Sequence, residues 1–176
     1  MELTDYGVAA STEGWFTVNV RDAAWVTNEQ MGDACIFEGE AVKFGQVGYT
    51  LQVLQPGQPS GMYHHEDDQE DFLVLSGECL LLVEGEERPL KAWDFVHCPP
   101  GTEHIFVGAG DGPCTIFMAG ARDEPREGVY VGSDLARRHR AGAHEETSSS
   151  KEAYAPFGRW SPGHPPSWAG LPWELR

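Results

Sequence analysis

The sequence predicts an all-β domain, and three observations carry the prediction. Short apolar runs rich in Val, Ile, Leu and Phe recur through the middle of the chain. Most are bounded by Gly or Pro, as turns between strands require. No long helical period interrupts them, which argues against a parallel sheet with crossover helices. A sandwich or barrel of antiparallel strands follows.

Taken in order, "WFTVNV" (Trp15 to Val20) reads as a first strand, and "VKFGQVGYTLQVL" (Val42 to Leu54) as a long or broken one. "DFLVLSG", "CLLLVEG", "DFVHCP", "HIFVG" and "CTIFMAG" follow. Hairpin turns are expected at Gly85 and at Asp111-Gly112. "GAGDG" (Gly108 to Gly112) has the glycines of a phosphate-cradling loop, but it joins two strands and opens no helix, so a hairpin is expected there. "GSDLARRHRAG" (Gly132 to Gly142) predicts a short helix. Ser133 is placed to cap it, Asp134 lies near its positive end, and the arginines lie toward its negative end. His144 to Glu152 is polar and reads as a loop. From Tyr154 onward come three tryptophans and five prolines. A disordered tail is poor in aromatics, so an extended tail lying across the domain or a neighbouring subunit is expected.

At 176 residues the chain suits one domain. Its expected parts are N-terminal strands and loops (1–41), a β core (42–122), and a short helix with the tail (123–176). Asp plus Glu is 28 and Lys plus Arg is 12, giving a formal charge of −16. Such a surface repels phosphate backbones and anionic lipid headgroups, which argues against nucleic acid and membrane partners. An anionic substrate would need a local positive centre, and a metal ion could supply one. No run approaches the roughly 20 apolar residues of a membrane span. "MELTDYGVAAS" lacks the basic and apolar regions of a secretory signal. A cytoplasmic location is therefore expected. Cys35, Cys79, Cys98 and Cys114 are widely spaced with no C-x-x-C pair, and read as buried free thiols.

Between two of the strand-like runs lies "YHHEDDQE", Tyr63 to Glu70. On an extended chain His64 and Glu66 share a face, and His65 takes the other. Glu70 can return to the first side after a turn. His104 follows a Pro-Pro-Gly turn and opens another apolar run. Carboxylates gathered near two histidines repel one another, and a bound divalent cation relieves that repulsion.

The pattern His64-x-Glu66-x3-Glu70-x6-Gly77, followed by Pro99-x-Gly101-x2-His104, resembles the two-part signature of the cupin superfamily. That signature runs G-x5-H-x-H-x(3 or 4)-E-x6-G, then G-x5-P-x-G-x2-H-x3-N. The resemblance spans about Gly45 to Gly120 and implies a jelly-roll β-barrel, often assembled as a homodimer. It also implies a divalent metal held by His64, Glu66, Glu70 and His104. A second register puts Tyr63 and His65 in place of His64 and Glu66; Gly57 favours it, and the high pKa of a phenol opposes it. Trp93 and Gly108 stand where the signature has its second-motif glycine and its final asparagine.

Nitrogen and oxygen ligands without thiolate suit Mn(II), Fe(II), Ni(II) or Zn(II). Cupins of this size include dioxygenases, decarboxylases and sugar isomerases. The resemblance thus implies a metal-dependent enzyme acting on a small, oxygen-rich metabolite. The alternatives are a non-catalytic module that binds a small molecule or metal, and a metal-free structural cupin. His97 is expected in the core or behind a ligand. Cys98 alternates with it and has no base beside it in sequence.

Overall fold

The computed structural model describes residues 1–40, 42–122 and 127–173. An N-terminal hairpin pairs β1 (Glu2–Thr4) with β2 (Gly7–Ala9). β3 (Ala24–Asn28), β4 (Gly32–Ile36) and β5 (Val47–Leu54) follow. Next come β6 (His64–Glu66), β7 (Glu70–Ser76), β8 (Glu78–Val83), β9 (Glu86–Lys91) and β10 (Phe95–Cys98). β11 (His104–Ala109), β12 (Cys114–Ala121) and β13 (Gly128–Tyr130) complete the β core. Two short helices, α1 (Asp134–Arg138) and α2 (Ser150–Ala153), precede β14 (Ser161–Pro162).

Seven strands form one sheet in the order β10-β7-β12-β5-β4-β3-β14, and five form another in the order β13-β6-β11-β8-β9. Leu54, Phe72, Val74, Leu81, Phe106 and Ile116 fill the space between them. The closed barrel expected from sequence is not formed: β10 and β14 edge one sheet, and β13 and β9 edge the other. The chain passes between sheets through turns, as at Gly77 (φ 72°), rather than through a shared hydrogen-bonded ladder. The result is a two-layer jelly-roll sandwich.

Period-two alternation sorts side chains by layer. On β11, His104 and Phe106 face the other sheet, while Ile105 and Val107 pack outward with Tyr63, Leu82 and the helical Ala136. The outer face of the seven-stranded sheet carries Trp25, Cys35, Leu51 and Val53, and the tail residues Trp168, Leu171 and Trp173 cover them. Trp25 meets Trp168 edge-on, ring centroids 5.7 Å apart.

Several sequence expectations need correction. Trp15 to Val20 forms no strand; Trp15 has no sheet neighbour and is 92% exposed. The loop 108–112 is no hairpin, because β11 pairs with β8 while β12 pairs with β5 and β7 in the other sheet. His97 is neither in the core nor behind a ligand. It lies half-exposed on the outer face of β10 and bonds the Asp71 carboxylate at 2.7 Å. The supposed loop 144–152 contains the start of α2, capped by Ser149.

Other expectations hold. β8 and β9 form a hairpin about Glu84 and Gly85, both at positive φ. Ser133 caps α1 by accepting from the Ala136 N–H. All four cysteines are buried and free. The expected C-terminal part, 123–176, begins and ends in residues outside those described.

Candidate functional site

His64 opens β6 and His104 opens β11, and the antiparallel pairing sets them directly opposite each other. Their ring centroids are 5.4 Å apart. Each ring is fixed by the same local device. His64 Nδ1 bonds the Met62 carbonyl at 2.7 Å, and His104 Nδ1 bonds the Thr102 carbonyl at 2.9 Å, two residues upstream in both cases. A carbonyl can only accept, so each Nδ1 carries the proton of that bond. Nε2 is left to face the interior, the arrangement that orients metal-binding imidazoles.

The carboxylates meet those nitrogens. Glu70 Oε2 lies 3.2 Å from His104 Nε2, and Glu66 Oε1 lies 3.7 Å from His64 Nε2. The four residues singled out in the sequence therefore come together, as two histidine–carboxylate pairs on facing strands. Among the described residues, no three His, Cys, Asp or Glu side chains are gathered tightly enough to hold a metal ion as placed. The donor set nonetheless fits one in chemistry: two imidazoles with Nδ1 tied off, and two carboxylates turned to their Nε2 atoms.

The second register finds no geometric support. Tyr63 is buried on the outer face, and its hydroxyl accepts from the Gly85 N–H at 3.1 Å. His65 stands opposite Val129 on β13, and its buried Nδ1 has no hydrogen-bond partner among the described residues.

Burial works against charge on His104, but its hydrogen bonds with Cys98 and Glu70 outweigh this and hold its pKa up at about 10. Burial and then the charge of His104 push the His64 pKa below its ordinary value, against the pull of Glu70 and Glu66. Phe72 meets His104 edge-on at 5.2 Å, and Tyr130 stacks on His64 at 5.7 Å. These rings pack against the two imidazoles, and His104 is the more buried of the two.

A cavity of about 410 Å³ adjoins the site, and Glu70 is part of its wall. Thr50, Gln52 and Met118 come from the sheet, Arg122 from the end of β12, and Trp160 from the C-terminal tail. Arg122 binds both oxygens of Glu38, at 2.7 and 2.9 Å, and donates to the Phe44 carbonyl at 2.8 Å. Sequence reading missed these wall residues and the Cys98 neighbour of His104. The strand register brings them together, and no local pattern announces it.

The model of the cupin domain family matches residues 50–120. With the two-sheet fold and its solved neighbours, this places that segment of the chain in the cupin superfamily. No curated protein sequence matches the chain. A sugar phosphate isomerase of the cupin superfamily from Silicibacter pomeroyi is 28% identical, with a TM-score of 0.51. The match covers 58% of this chain and 66% of that one, so the chain spans just under two-thirds of that relative. The polyketide cyclase RemF from Streptomyces resistomycificus is 15% identical, with 64% of this chain and 82% of that one covered and a TM-score of 0.54. A predicted oxalate decarboxylase from Thermotoga maritima is 19% identical, with 60% and 98% covered and a TM-score of 0.52. The last two establish the fold alone. No helix among the described residues is long and apolar enough to cross a membrane.

Proposed function

We propose that this cupin domain is a metal-dependent enzyme acting on a small, oxygen-rich metabolite, with His64, Glu66, Glu70 and His104 holding the ion. The observation that carries the reading is the facing pair His64 and His104. Both rings are locked by backbone carbonyls, and both present Nε2 to a carboxylate. A bound divalent cation would supply Lewis-acid polarisation of substrate oxygens, or dioxygen chemistry if it is iron.

The chain's own groups supply the rest. Glu70 joins the histidine pair to the cavity. Thr50 offers a hydroxyl to substrate oxygens, Gln52 holds the wall by donating to the Met31 and Ser60 carbonyls, and Met118 and Trp160 form an apolar wall. Arg122 lines the cavity as well, its charge paired with the Glu38 carboxylate. Among dioxygenation, decarboxylation and isomerisation, the likeness to the Silicibacter pomeroyi sugar phosphate isomerase supports isomerisation. The reading includes a homodimer, supported by Trp93 and Phe95, which stand exposed at and beside the edge strand β10.

The test combines metal analysis with turnover of a sugar phosphate panel, using protein loaded with Mn(II), Fe(II), Ni(II) or Zn(II). Turnover that requires metal and disappears in His64→Ala supports the proposal. Stoichiometric metal without turnover points instead to a binding module. No retained metal after loading defeats both readings.

A further inference from the structure

The short helix α2 lies outside the histidine pair, yet the residue that ends it reaches the backbone that holds His64. Met62 is buried just before β6 and belongs to no strand. Its N–H donates to the Tyr154 hydroxyl at 3.2 Å, and its carbonyl accepts from His64 Nδ1 at 2.7 Å. These two groups belong to the rigid peptide planes on either side of one Cα, so fixing both planes fixes where the carbonyl points. The second plane is also held by the Tyr63 N–H, which donates to the Ala141 carbonyl at 2.6 Å. The first is held by Tyr154. Gly61 makes the approach possible, because a Cβ there would lie 2.8 Å from the Tyr154 hydroxyl oxygen.

Tyr154 is itself firmly placed. It caps the C-terminus of α2, and its N–H donates to the Ser150 carbonyl at 3.0 Å. Its ring meets Tyr130 edge-on at 5.6 Å and packs against Phe157 at 6.0 Å. Tyr130 in turn stands opposite His64 across β13 and β6, and exchanges both backbone hydrogen bonds with Thr147 ahead of α2. From this linkage we infer that Tyr154 is a positioning residue for His64: through Met62 it sets the carbonyl that keeps the proton on Nδ1 and turns Nε2 to the interior. The inference rests on the metal reading above and deepens it.

The two histidines then differ in what aims them. His104 takes its bond from Thr102, and Thr102 is braced by the Pro99 carbonyl within the same turn. That device lies wholly inside the segment that matches the cupin family, residues 50–120. The brace on His64 does not: Tyr154, Ala141 and Tyr130 all come from the chain beyond it. The family segment supplies the His64 ring, and the C-terminal segment supplies its orientation. A ligand whose outer partner is lost binds its metal less tightly, since the ring no longer waits in the competent tautomer.

The test reads the imidazole tautomers directly, by long-range proton–nitrogen NMR of the metal-free full chain, with His64→Ala assigning the His64 signals. Wild type is compared with Tyr154→Phe, which removes only the hydroxyl, and with Gly61→Ala, whose new methyl displaces it. Wild type should show both His64 and His104 protonated at Nδ1. In either variant His64 should become a mixture of tautomers while His104 stays as it was, and affinity for Zn(II) should fall about tenfold. A His64 tautomer that is unchanged in both variants overturns the inference. So does an equal change in both rings, which marks general loosening of the fold, and so does a His64 change with Zn(II) affinity held within about twofold. Failure of wild type to bind Zn(II) defeats the metal reading alone, and the tautomer comparison still decides whether Tyr154 orients His64. The variants break one hydrogen bond from opposite sides, so either decides the matter if the other does not fold.

Discussion

His64 and His104 are cross-strand partners, one residue each from β6 and β11, and their rings stand 5.4 Å apart. His65, the next residue along, projects to the opposite side against β13. Two adjacent histidines therefore have separate fates, and substitution distinguishes them. His64→Ala and Glu66→Ala should lower metal affinity by more than the roughly 10–100-fold that loss of a ligand's outer partner costs. His65→Ala should leave it within about threefold, because only the outer face changes. Isothermal titration with Zn(II) after chelation reads both. Loss of affinity in His65→Ala with retention in His64→Ala would reverse the assignment.

The Glu38–Arg122 pair ties the segment before β5 to the end of β12. The hydrogen bond from Arg122 holds the Glu38 carboxyl below its ordinary 4.5, burial opposing it. For a depressed carboxyl, the stabilisation is present above the unfolded value and is lost as pH falls through the lower folded value. Glu38→Gln should thus be less stable than wild type at neutral pH by at most about 1 kcal/mol, since the pair is partly solvated. The gap should close progressively below about pH 4.5. Urea denaturation at a series of pH values checks this. A gap that widens on acidification contradicts the assignment.

Some of this was legible in the sequence, for a physical reason. His64, Glu66 and Glu70 are close along the chain, and strand alternation alone decides that the first two share a face. The strands β3 and β4 were not legible. "AWVTN" and "GDACI" carry Asn, Asp and Gly, all poor strand formers, and they are held by pairing with each other and with β5. "WFTVNV" has the right composition but no strand to pair with. Cys98 shows the limit most clearly: the pairing of β10 with β7 sets it opposite Glu70, and no local pattern announces that register.

Trp93 and Gly77 make opposite predictions about the same kind of backbone. Both adopt left-handed conformations, at φ 76° and 72°. Tryptophan there is strained, costing roughly 1–2 kcal/mol, and its 74% exposure recovers little by packing. Trp93→Gly should raise monomer stability by about 1 kcal/mol, net of glycine's own entropy cost. Gly77→Ala should lower it by about 2 kcal/mol or more, because its Cβ would also run into the Pro113 carbonyl and the Cys114 backbone. Thermal unfolding of both variants tests the pair. If Trp93→Gly is destabilised and also shifts from dimer to monomer in sedimentation, the exposed ring is an interface anchor, and the strain is retained for assembly.

Trp160 links the C-terminal tail to the candidate site. The segment before it is anchored by Asn28 Nδ2 to the Gly158 carbonyl at 2.7 Å, and by the Gly158 N–H to Gln30 Oε1 at 3.0 Å. β14 then adds to the edge strand β3, which sets the Trp160 ring against the cavity that Glu70 also lines. The ring is 37% exposed, so truncating it should cost less than about 1 kcal/mol of folding stability. Its effect should fall on the ligand instead. Trp160→Ala should raise KM for a turned-over sugar phosphate about tenfold, equivalent to about 1.4 kcal/mol of lost binding. Because the ring touches neither histidine pair, kcat should stay within about twofold and metal content should not change. A fall in kcat and metal content together, with KM unchanged, would show that the tail supports the metal centre and does not shape the substrate wall.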